Sequence, residues 1–289
     1  MPIASSELVL NPDGSIYHLK LLPEQLAENI IVVGDQGRVA TISAHFDEIE
    51  HQVSNREFVT HTGTYKGKRI SAISTGIGPD NIDIVVNELD ALVNIDLQTR
   101  EIKAEKKSLN IIRIGTSGTL HADIPVDSVI VSKYGLGFDG VLQYYAHQKS
   151  ADEQVLEEAF LRQVQLPTGA ARPYFVKSSD QLFDLVSEGF YTGITATAGG
   201  FYGPQGRTLR LKCAVEDLNE QLAAFKHSSG RITNFEMETS ALYGLSKLLG
   251  HNACTACAII ANRATLTYSK DYKPVIASLI KTILDRIVK

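Results

Sequence analysis

Short runs of β-branched and other apolar residues alternate with longer segments in which apolar residues recur every three or four positions. The short runs are typical of buried strands, and the longer periodicity is typical of amphipathic helices. The predicted strands are 30–33, 56–65, 69–74, 110–114, 126–132, 174–177, 191–197, 232–235 and 253–261, with 56–65 and 69–74 forming a hairpin around Lys66-Gly67-Lys68. The predicted helices are 37–48, 79–97, 153–164, 239–249 and 276–288, and Gly250 is expected to end the fourth of them.

This alternation favours an α/β fold with one mostly parallel or mixed sheet that is covered by helices on both faces. The 289 residues, 44% of them hydrophobic, suffice for a large core and are expected to form a single domain over 1–289. Ligands of such sheets bind beyond the carboxyl ends of the strands, so polar side chains at those ends are the candidate site. The charged segment 98–108 interrupts the pattern as either a solvated helix end or a surface insertion.

Composition and charge exclude several other functions. The net charge is −5 with scattered basic residues, and no apolar run approaches a membrane span, so neither nucleic acid nor a membrane is an expected partner. The N-terminus lacks the layout of a signal peptide, and three cysteines are too few for a disulfide framework, so we expect a cytoplasmic protein. Cys254 and Cys257 have the spacing of a redox or metal pair, but they lie in an apolar run and are expected to be core residues.

Two predicted strands end in segments that pair glycine with arginine. Gly34-Asp35-Gln36-Gly37-Arg38 leads from a strand into a helix, where backbone N–H groups favour anions; otherwise it is a tight turn with a surface arginine. It lacks the glycine pattern of a dinucleotide site. Arg113 precedes a predicted turn over 115–118, and its charge needs either a bound oxyanion or a structural carboxylate. Arg56, at a hairpin strand, is either a third phosphate ligand or an edge charge.

Two further segments carry groups that suit a nucleoside. Glu236 and Glu238 flank Met237 between a strand and a helix. These carboxylates are suited to accept hydrogen bonds from sugar hydroxyls, although acidic residues at a helix start also occur for the helix dipole alone. The segment 201–207 places Phe201, Gln205 and Arg207 around Gly and Pro, and it is either a surface loop or a reader of a flat, carbonyl-bearing ring such as uracil.

In this order the motifs resemble the nucleoside phosphorylase-I family, and within it the members that act on uridine. The resemblance covers nearly the whole chain. It rests on Ile16-Tyr17-His18-Leu19, Gly34-Asp35-x-x-Arg38, Ser54-x-Arg56-Glu57-Phe58, Ser74-Thr75-Gly76-Ile77-Gly78, Arg113-Ile114-Gly115-Thr116-Ser117-Gly118, Phe201-Tyr202-x-x-Gln205-x-Arg207, Glu236-Met237-Glu238 and Asn262-Arg263. It implies a three-layer α/β/α sandwich whose central mixed sheet is partly barrel-like.

The resemblance also implies a role for each position. Phosphate would be held by Gly34, Arg38, Arg113 and Thr116, with Arg56 reaching the phosphate of a neighbouring subunit. Ribose would be held by Glu236, Met237 and Glu238, with His18 crossing the subunit interface to the 5′-hydroxyl. The base would be bound by Phe201, Gln205, Arg207, Ile260 and Ala261. The assembly would be a homodimer or a hexamer built as a trimer of dimers.

The chain departs from the family in three places. Residues 98–108 are an insertion relative to the shorter bacterial pattern. Asn81 stands where some relatives have a serine that binds a monovalent cation with a glutamate matching Glu57, which weakens the expectation of such a cation. The catalytic aspartate of the purine enzymes is absent from Ala261-Asn262-Arg263.

The expected reaction is reversible phosphorolysis of uridine to uracil and ribose 1-phosphate, without a metal or organic cofactor. Arg113, Gln205 and Arg207 are the residues expected to carry catalysis. The alternatives are a purine nucleoside phosphorylase or a hydrolytic nucleosidase of the same fold, and a nucleoside-binding protein without turnover.

Overall fold

The computed structural model describes residues 1–289 as strands and helices that alternate along most of the chain. The strands are β1 (Asn29–Val33), β2 (Glu48–Asn55), β3 (Phe58–Tyr65), β4 (Lys68–Ser74), β5 (Ile95–Asp96), β6 (Glu101–Ile102), β7 (Asn110–Thr119), β8 (Val129–Gly137), β9 (Tyr174–Lys177), β10 (Tyr191–Thr197), β11 (Ile232–Glu236), β12 (Asn252–Asn262) and β13 (Thr267–Tyr268). The helices are α1 (Gln36–Ser43), α2 (Pro79–Asn94), α3 (Ala151–Gln163), α4 (Asp180–Ser187), α5 (Leu218–Ala224), α6 (Thr239–Leu249) and α7 (Lys273–Ile287).

Eleven strands form one mixed sheet that closes on itself at one end. β12 pairs with β7 in parallel and with β8 in antiparallel orientation, and β10 and β11 complete a ring from β8 back to β7. Beyond this ring, β1 joins β7 to the meander of β4, β3 and β2. The prediction of a central, partly barrel-like mixed sheet is therefore confirmed.

Alternate residues of the central strands face two different helical layers. Ile30 and Val32 pack in the cluster that contains the apolar sides of α2 and α6, whereas Ile31 and Val33 pack with α1, α4 and α7. A third cluster joins α3 and α5 to the barrel end of the sheet. Because both faces are covered, the strands are apolar runs rather than alternating ones, as the sequence predicted. None of the helices combines the length and the apolar character that a membrane span requires.

Several predicted elements end elsewhere in the structure. α1 ends at Ser43 rather than at residue 48, because Glu48 begins β2, an edge strand that the sequence analysis did not predict. The predicted turn over 115–118 is wrong, since β7 continues to Thr119 with β12 beside it. The charged segment 98–108 contains the second strand of the short β5–β6 hairpin and is mostly exposed, so it is not a helix end.

Candidate active site

A cavity of about 770 Å³ opens where the strands β1, β4, β7 and β12 end. The loop after β10 and the junction between β11 and α6 complete its wall. All the predicted site residues except His18 and Arg56 line it, namely Gly34, Arg38, Arg113, Thr116, Phe201, Gln205, Arg207, Glu236, Met237, Glu238, Ile260 and Ala261. Segments far apart in the chain thus converge on the carboxyl ends of parallel strands, where ligands of such sheets bind.

Arg113 is buried and lies between two carboxylates. Its Nη1 is 3.3 Å from Oε2 of Glu236, and its Nη2 contacts Oε2 of Glu238. Burial alone would lower the pKa of Arg113, but the two carboxylates raise it, so the guanidinium stays charged. The structural-carboxylate alternative for Arg113 is therefore realised, although the guanidinium also lines the cavity and its Nε has no partner.

Gly115 makes room for this guanidinium. A Cβ at Gly115 would lie 2.0 Å from Nη1 of Arg113 and 2.9 Å from Sγ of Cys257. Nη1 also donates to Sγ of Cys257 over 3.4 Å. The glycine two residues after the arginine is thus required by the close approach of the side chain to its own strand.

The two glutamates that contact Arg113 are held in different ways. Glu236 accepts hydrogen bonds from Oγ1 of Thr197 at 2.6 Å, from N of Glu238 at 2.9 Å and from N of Thr239 at 3.0 Å. Together with Arg113, these donors occupy its carboxylate and fix the start of α6.

Glu238 has fewer protein donors. Its Oε1 accepts from N of Gly78 at 2.8 Å, and its Oε2 accepts from Arg113. Each oxygen therefore keeps one lone pair for a ligand hydroxyl. Burial raises the pKa of the Glu238 carboxyl, which Arg113 offsets only in part.

A second guanidinium approaches Arg113 from the start of α1. Arg38 donates from Nη1 to O of Ile114 at 3.1 Å, and Asp35 caps the helix by accepting from N of Gly37 at 2.9 Å. Burial lowers the pKa of Arg38, and the positive charge of Arg113 lowers it further. Arg113 is already paired with Glu236 and Glu238, whereas Arg38 forms no ion pair, so the charge of Arg38 is available to an oxyanion in the cavity.

The 201–207 segment contributes Phe201, Gln205 and Arg207 to the wall of the cavity. Nη1 of Arg207 donates to Oε1 of Gln205 at 2.6 Å and to O of Phe201 at 2.5 Å, and its guanidinium lies 3.8 Å from the centre of the Phe201 ring. Arg263 holds the segment from β12 by donating to O of Gln205 at 2.5 Å. Burial lowers the pKa of Arg207 to about 10, with a contribution from Arg263. This part of the wall therefore presents amide and guanidinium donors beside an aromatic ring.

Asn262 is turned away from the cavity. Its Nδ2 donates to O of His121 at 2.9 Å and to O of Ile124 at 2.8 Å, and its Oδ1 accepts from N of Ala264 and N of Thr265 at 3.0 Å. A fully bonded carboxamide at this position fixes the end of β12 and offers no acid to a bound base.

His18 and Arg56 lie outside the cavity of their own chain. Nη2 of Arg56 is 3.5 Å from the hydroxyl of Tyr17, and its guanidinium stacks 5.6 Å from the centre of that ring. His18 follows Tyr17 and donates from Nδ1 to Oε1 of Glu88 at 2.7 Å. Two of the three predicted phosphate arginines therefore share a cavity, and the third does not.

Several cavity residues were not predicted from the sequence. Tyr268 and Tyr272 enter from β13 and the start of α7, and no spacing in the sequence marks them. Glu57 and Asn81, which the sequence analysis placed at the positions of the family's cation site, also line the wall, where both abut the position that a Cβ of Gly76 would occupy.

Comparisons with known proteins agree with this fold. A solved Trypanosoma brucei nucleoside phosphorylase, described as showing uridine phosphorylase activity, superposes with a TM-score of 0.89 at 32% identity and covers 97% of this chain and 99% of its own. The uridine phosphorylase of Thermococcus kodakarensis is 29% identical over 92% of this chain and 84% of its own. A DeoD-type purine nucleoside phosphorylase of Listeria monocytogenes is 28% identical over 82% of both chains.

Fold and site together define an α/β enzyme of the nucleoside phosphorylase type. The sequence pattern of the Phosphorylase superfamily matches residues 28–289, and the chain belongs to that superfamily. The resemblance inferred from the motifs is thus confirmed at the level of the family.

Proposed function

We propose that this enzyme catalyses the reversible phosphorolysis of uridine to uracil and ribose 1-phosphate. The observation that carries the proposal is that Arg38 and Arg113 line the same cavity as the donors of Gln205 and Arg207. Relatives that are named uridine phosphorylases support the same substrate. Roles for individual residues follow from the contacts described above.

At the phosphate end, Arg38 and Arg113 bind the inorganic phosphate together with the backbone of Gly34 and the hydroxyl of Thr116. A phosphate oxygen attacks the anomeric carbon while the bond from that carbon to N1 of uracil breaks. The electron pair of that bond passes to the uracil ring. Fixed cations supply orientation and charge stabilisation without a covalent enzyme intermediate.

The sugar lies between the two ends, above Met237. Glu238 accepts hydrogen bonds from the ribose hydroxyls through the lone pairs that its protein partners leave free. Glu236, whose oxygens are occupied by protein donors, contributes by holding Arg113 and the start of α6 in place.

At the base end, Gln205 and Arg207 donate hydrogen bonds to the uracil edge and stabilise the negative charge that develops on the leaving group. Removing one such donor typically costs about 3 to 4 kcal/mol of transition-state stabilisation. Phe201, Ile260 and Ala261 provide the apolar wall. The side chain of Asn262 points away from this region, which disfavours a purine enzyme that protonates its leaving base.

The proposal includes a shared active site in a homodimer or a trimer of dimers. Because Arg56 and His18 lie outside their own cavity, they are free to complete the cavity of a neighbouring copy, at the phosphate and at the ribose 5′-hydroxyl respectively. No organic cofactor or metal takes part in this reaction.

The test is a substrate panel of uridine, thymidine, inosine and adenosine, each with and without phosphate. Release of uracil from uridine that depends on phosphate supports the proposal. Release without phosphate supports a nucleosidase, preference for inosine or adenosine supports a purine phosphorylase, and binding without turnover supports a nucleoside-binding protein.

A further inference from the structure

Glu88, in the middle of α2, directs its carboxylate at a single short segment of the chain. Oε2 accepts from N of Leu19 at 2.8 Å, and both oxygens lie about equally far from N of His18, at 3.0 and 3.1 Å. Oε1 also contacts Nδ1 of His18 at 2.7 Å. The Glu88 side chain is 12% exposed, and its one ion-pair partner is His18. The hydrogen bonds of this carboxylate thus hold the segment that carries His18.

These contacts determine which ring nitrogen of His18 carries hydrogen when the imidazole is neutral. A carboxylate only accepts hydrogen bonds, so Nδ1, which faces it, carries the hydrogen. Nε2 is then the nitrogen with a free lone pair. The side chain of His18 keeps 27% exposure, which leaves the ring accessible to a ligand.

The main chain of His18 is tied to the neighbouring arginine as well. Nδ2 of Asn55 donates to O of His18 at 2.8 Å, and Asn55 immediately precedes Arg56, which adopts a left-handed backbone with φ of 55°. Arg56 in turn stacks on Tyr17. The two side chains that lie outside their own cavity are therefore parts of one bonded cluster, in which Glu88 holds the histidine.

We propose that Glu88 is a positioning residue that orients His18, fixes its Nδ1–H tautomer and thereby sets the preference for a nucleoside with a 5′-hydroxyl. The inference rests on the proposed function, in which His18 serves the ribose 5′-hydroxyl of a neighbouring subunit. With this tautomer, Nε2 accepts the hydroxyl hydrogen. A carboxylate that orients a histidine through its other nitrogen is a common arrangement in functional sites.

The kinetic test compares uridine with 5′-deoxyuridine at saturating phosphate. We expect His18→Ala to reduce the preference for uridine, as the ratio of the two kcat/KM values, by about tenfold, the value of one hydrogen bond. Glu88→Ala should reduce it similarly, and the double variant should lose little more, because both substitutions remove one interaction. Glu105→Ala, at an exposed glutamate of the insertion, is the control and should leave the ratio unchanged.

General damage to the fold lowers kcat/KM for both substrates equally and leaves their ratio unchanged. A Glu88→Ala enzyme that keeps the wild-type ratio, or a double variant whose losses multiply, would overturn the inference. Glu88→Gln separates the two roles of the carboxylate: its amide oxygen can still accept from the backbone of residues 18 and 19, but its N–H faces Nδ1, so the ratio should fall by about tenfold, as in Glu88→Ala. A ratio that stays at the wild-type value in Glu88→Gln would show that the tautomer does not set the preference.

A second measurement does not depend on activity. The nitrogen NMR signals of His18, recorded near pH 8.5 where an ordinary imidazole is neutral, should show the Nδ1–H tautomer in the wild type. In Glu88→Gln the amide N–H faces Nδ1, so the tautomer should reverse to Nε2–H. An Nε2–H tautomer in the wild type contradicts the inference. If uridine is not a substrate, the proposed function fails, and this measurement still decides whether Glu88 fixes the tautomer of His18.

Discussion

Substitution of Gly115 by alanine tests whether the position of Arg113 determines phosphate use. The residue has an ordinary backbone conformation that alanine can adopt, so the perturbation is steric. The new Cβ would lie 2.0 Å from Nη1 of Arg113 and 2.9 Å from Sγ of Cys257. The guanidinium would have to move by roughly 1 Å or more to reach ordinary contact distance, and it is held in place by Glu236 and Glu238.

The magnitude follows from this displacement. Misplacing a catalytic group by about 1 Å costs on the order of 10²-fold in rate, so kcat/KM for phosphate in Gly115→Ala should fall by about that factor. Crowding of a well-packed interior should lower the free energy of unfolding by about 1 to 3 kcal/mol. The enzyme should therefore remain folded while its use of phosphate is impaired.

The assay measures initial rates of uracil formation as phosphate is varied, with the free energy of unfolding measured by denaturant titration. Gly118→Ala is the matched control on the same strand, because its Cβ would meet only atoms between 3.6 and 3.9 Å away. The KM of this control for phosphate should stay within about twofold of the wild type. If Gly115→Ala has wild-type phosphate kinetics, the reasoning that links Arg113 to phosphate is refuted.

Three further predictions concern the base, acid stability and the thiols. Gln205→Ala should lower kcat/KM for uridine by on the order of 10² to 10³ and have little effect on any residual inosine activity; parallel losses would show that the carboxamide does not read the base. Glu153 accepts hydrogen bonds from Nζ of Lys247 at 2.7 and 2.9 Å, and such bonds, opposed by burial, leave its pKa below the ordinary value. A lowered carboxyl pKa gives stability that is present above the unfolded-state pKa and lost on acidification. The free energy of unfolding of Glu153→Gln should therefore fall by about 1 to 3 kcal/mol less than that of the wild type between neutral and acidic pH. An unchanged pH dependence would count against the ion pair. Titration of the native protein with a thiol reagent should modify the half-buried Cys213 alone, because burial raises the pKa of Cys254 to about 12 and that of Cys257 to about 11. Reaction of all three cysteines without denaturant would contradict the burial of the two β12 cysteines.

The sequence predicted most of the elements that are buried on one or both faces, but the short helices α4 and α5 were missed although each buries two apolar side chains. α6 is found at 239–249 with Gly250 in a left-handed conformation after it, as expected from the glycine signal. β2 was missed because all its side chains are exposed or half-buried, so the edge strand carries no clear apolar alternation. Secondary structure that is set by pairing with a neighbour, rather than by burial, leaves a weak pattern in the sequence.

The candidate site was predicted in content and only partly in geometry. The glycines at 115 and 118 suggested a turn, but Gly115 is there because the Arg113 side chain folds back over its own strand. The unequal bonding of Glu236 and Glu238 depends on Thr197, a residue on another strand whose contact no local spacing encodes. Tyr268 also lines the cavity through a contact between distant parts of the chain, which no local sequence pattern predicts.

In the proposed reaction the nucleophile that attacks the sugar is phosphate. The most direct measurement incubates uridine with phosphate labelled with ¹⁸O on all oxygens and analyses the sugar product by mass spectrometry. We expect ribose 1-phosphate that retains the full label, including the oxygen bonded to the anomeric carbon, in amounts equal to the uracil released. Free, unlabelled ribose in place of that product would contradict it, because water and not phosphate would then be the nucleophile.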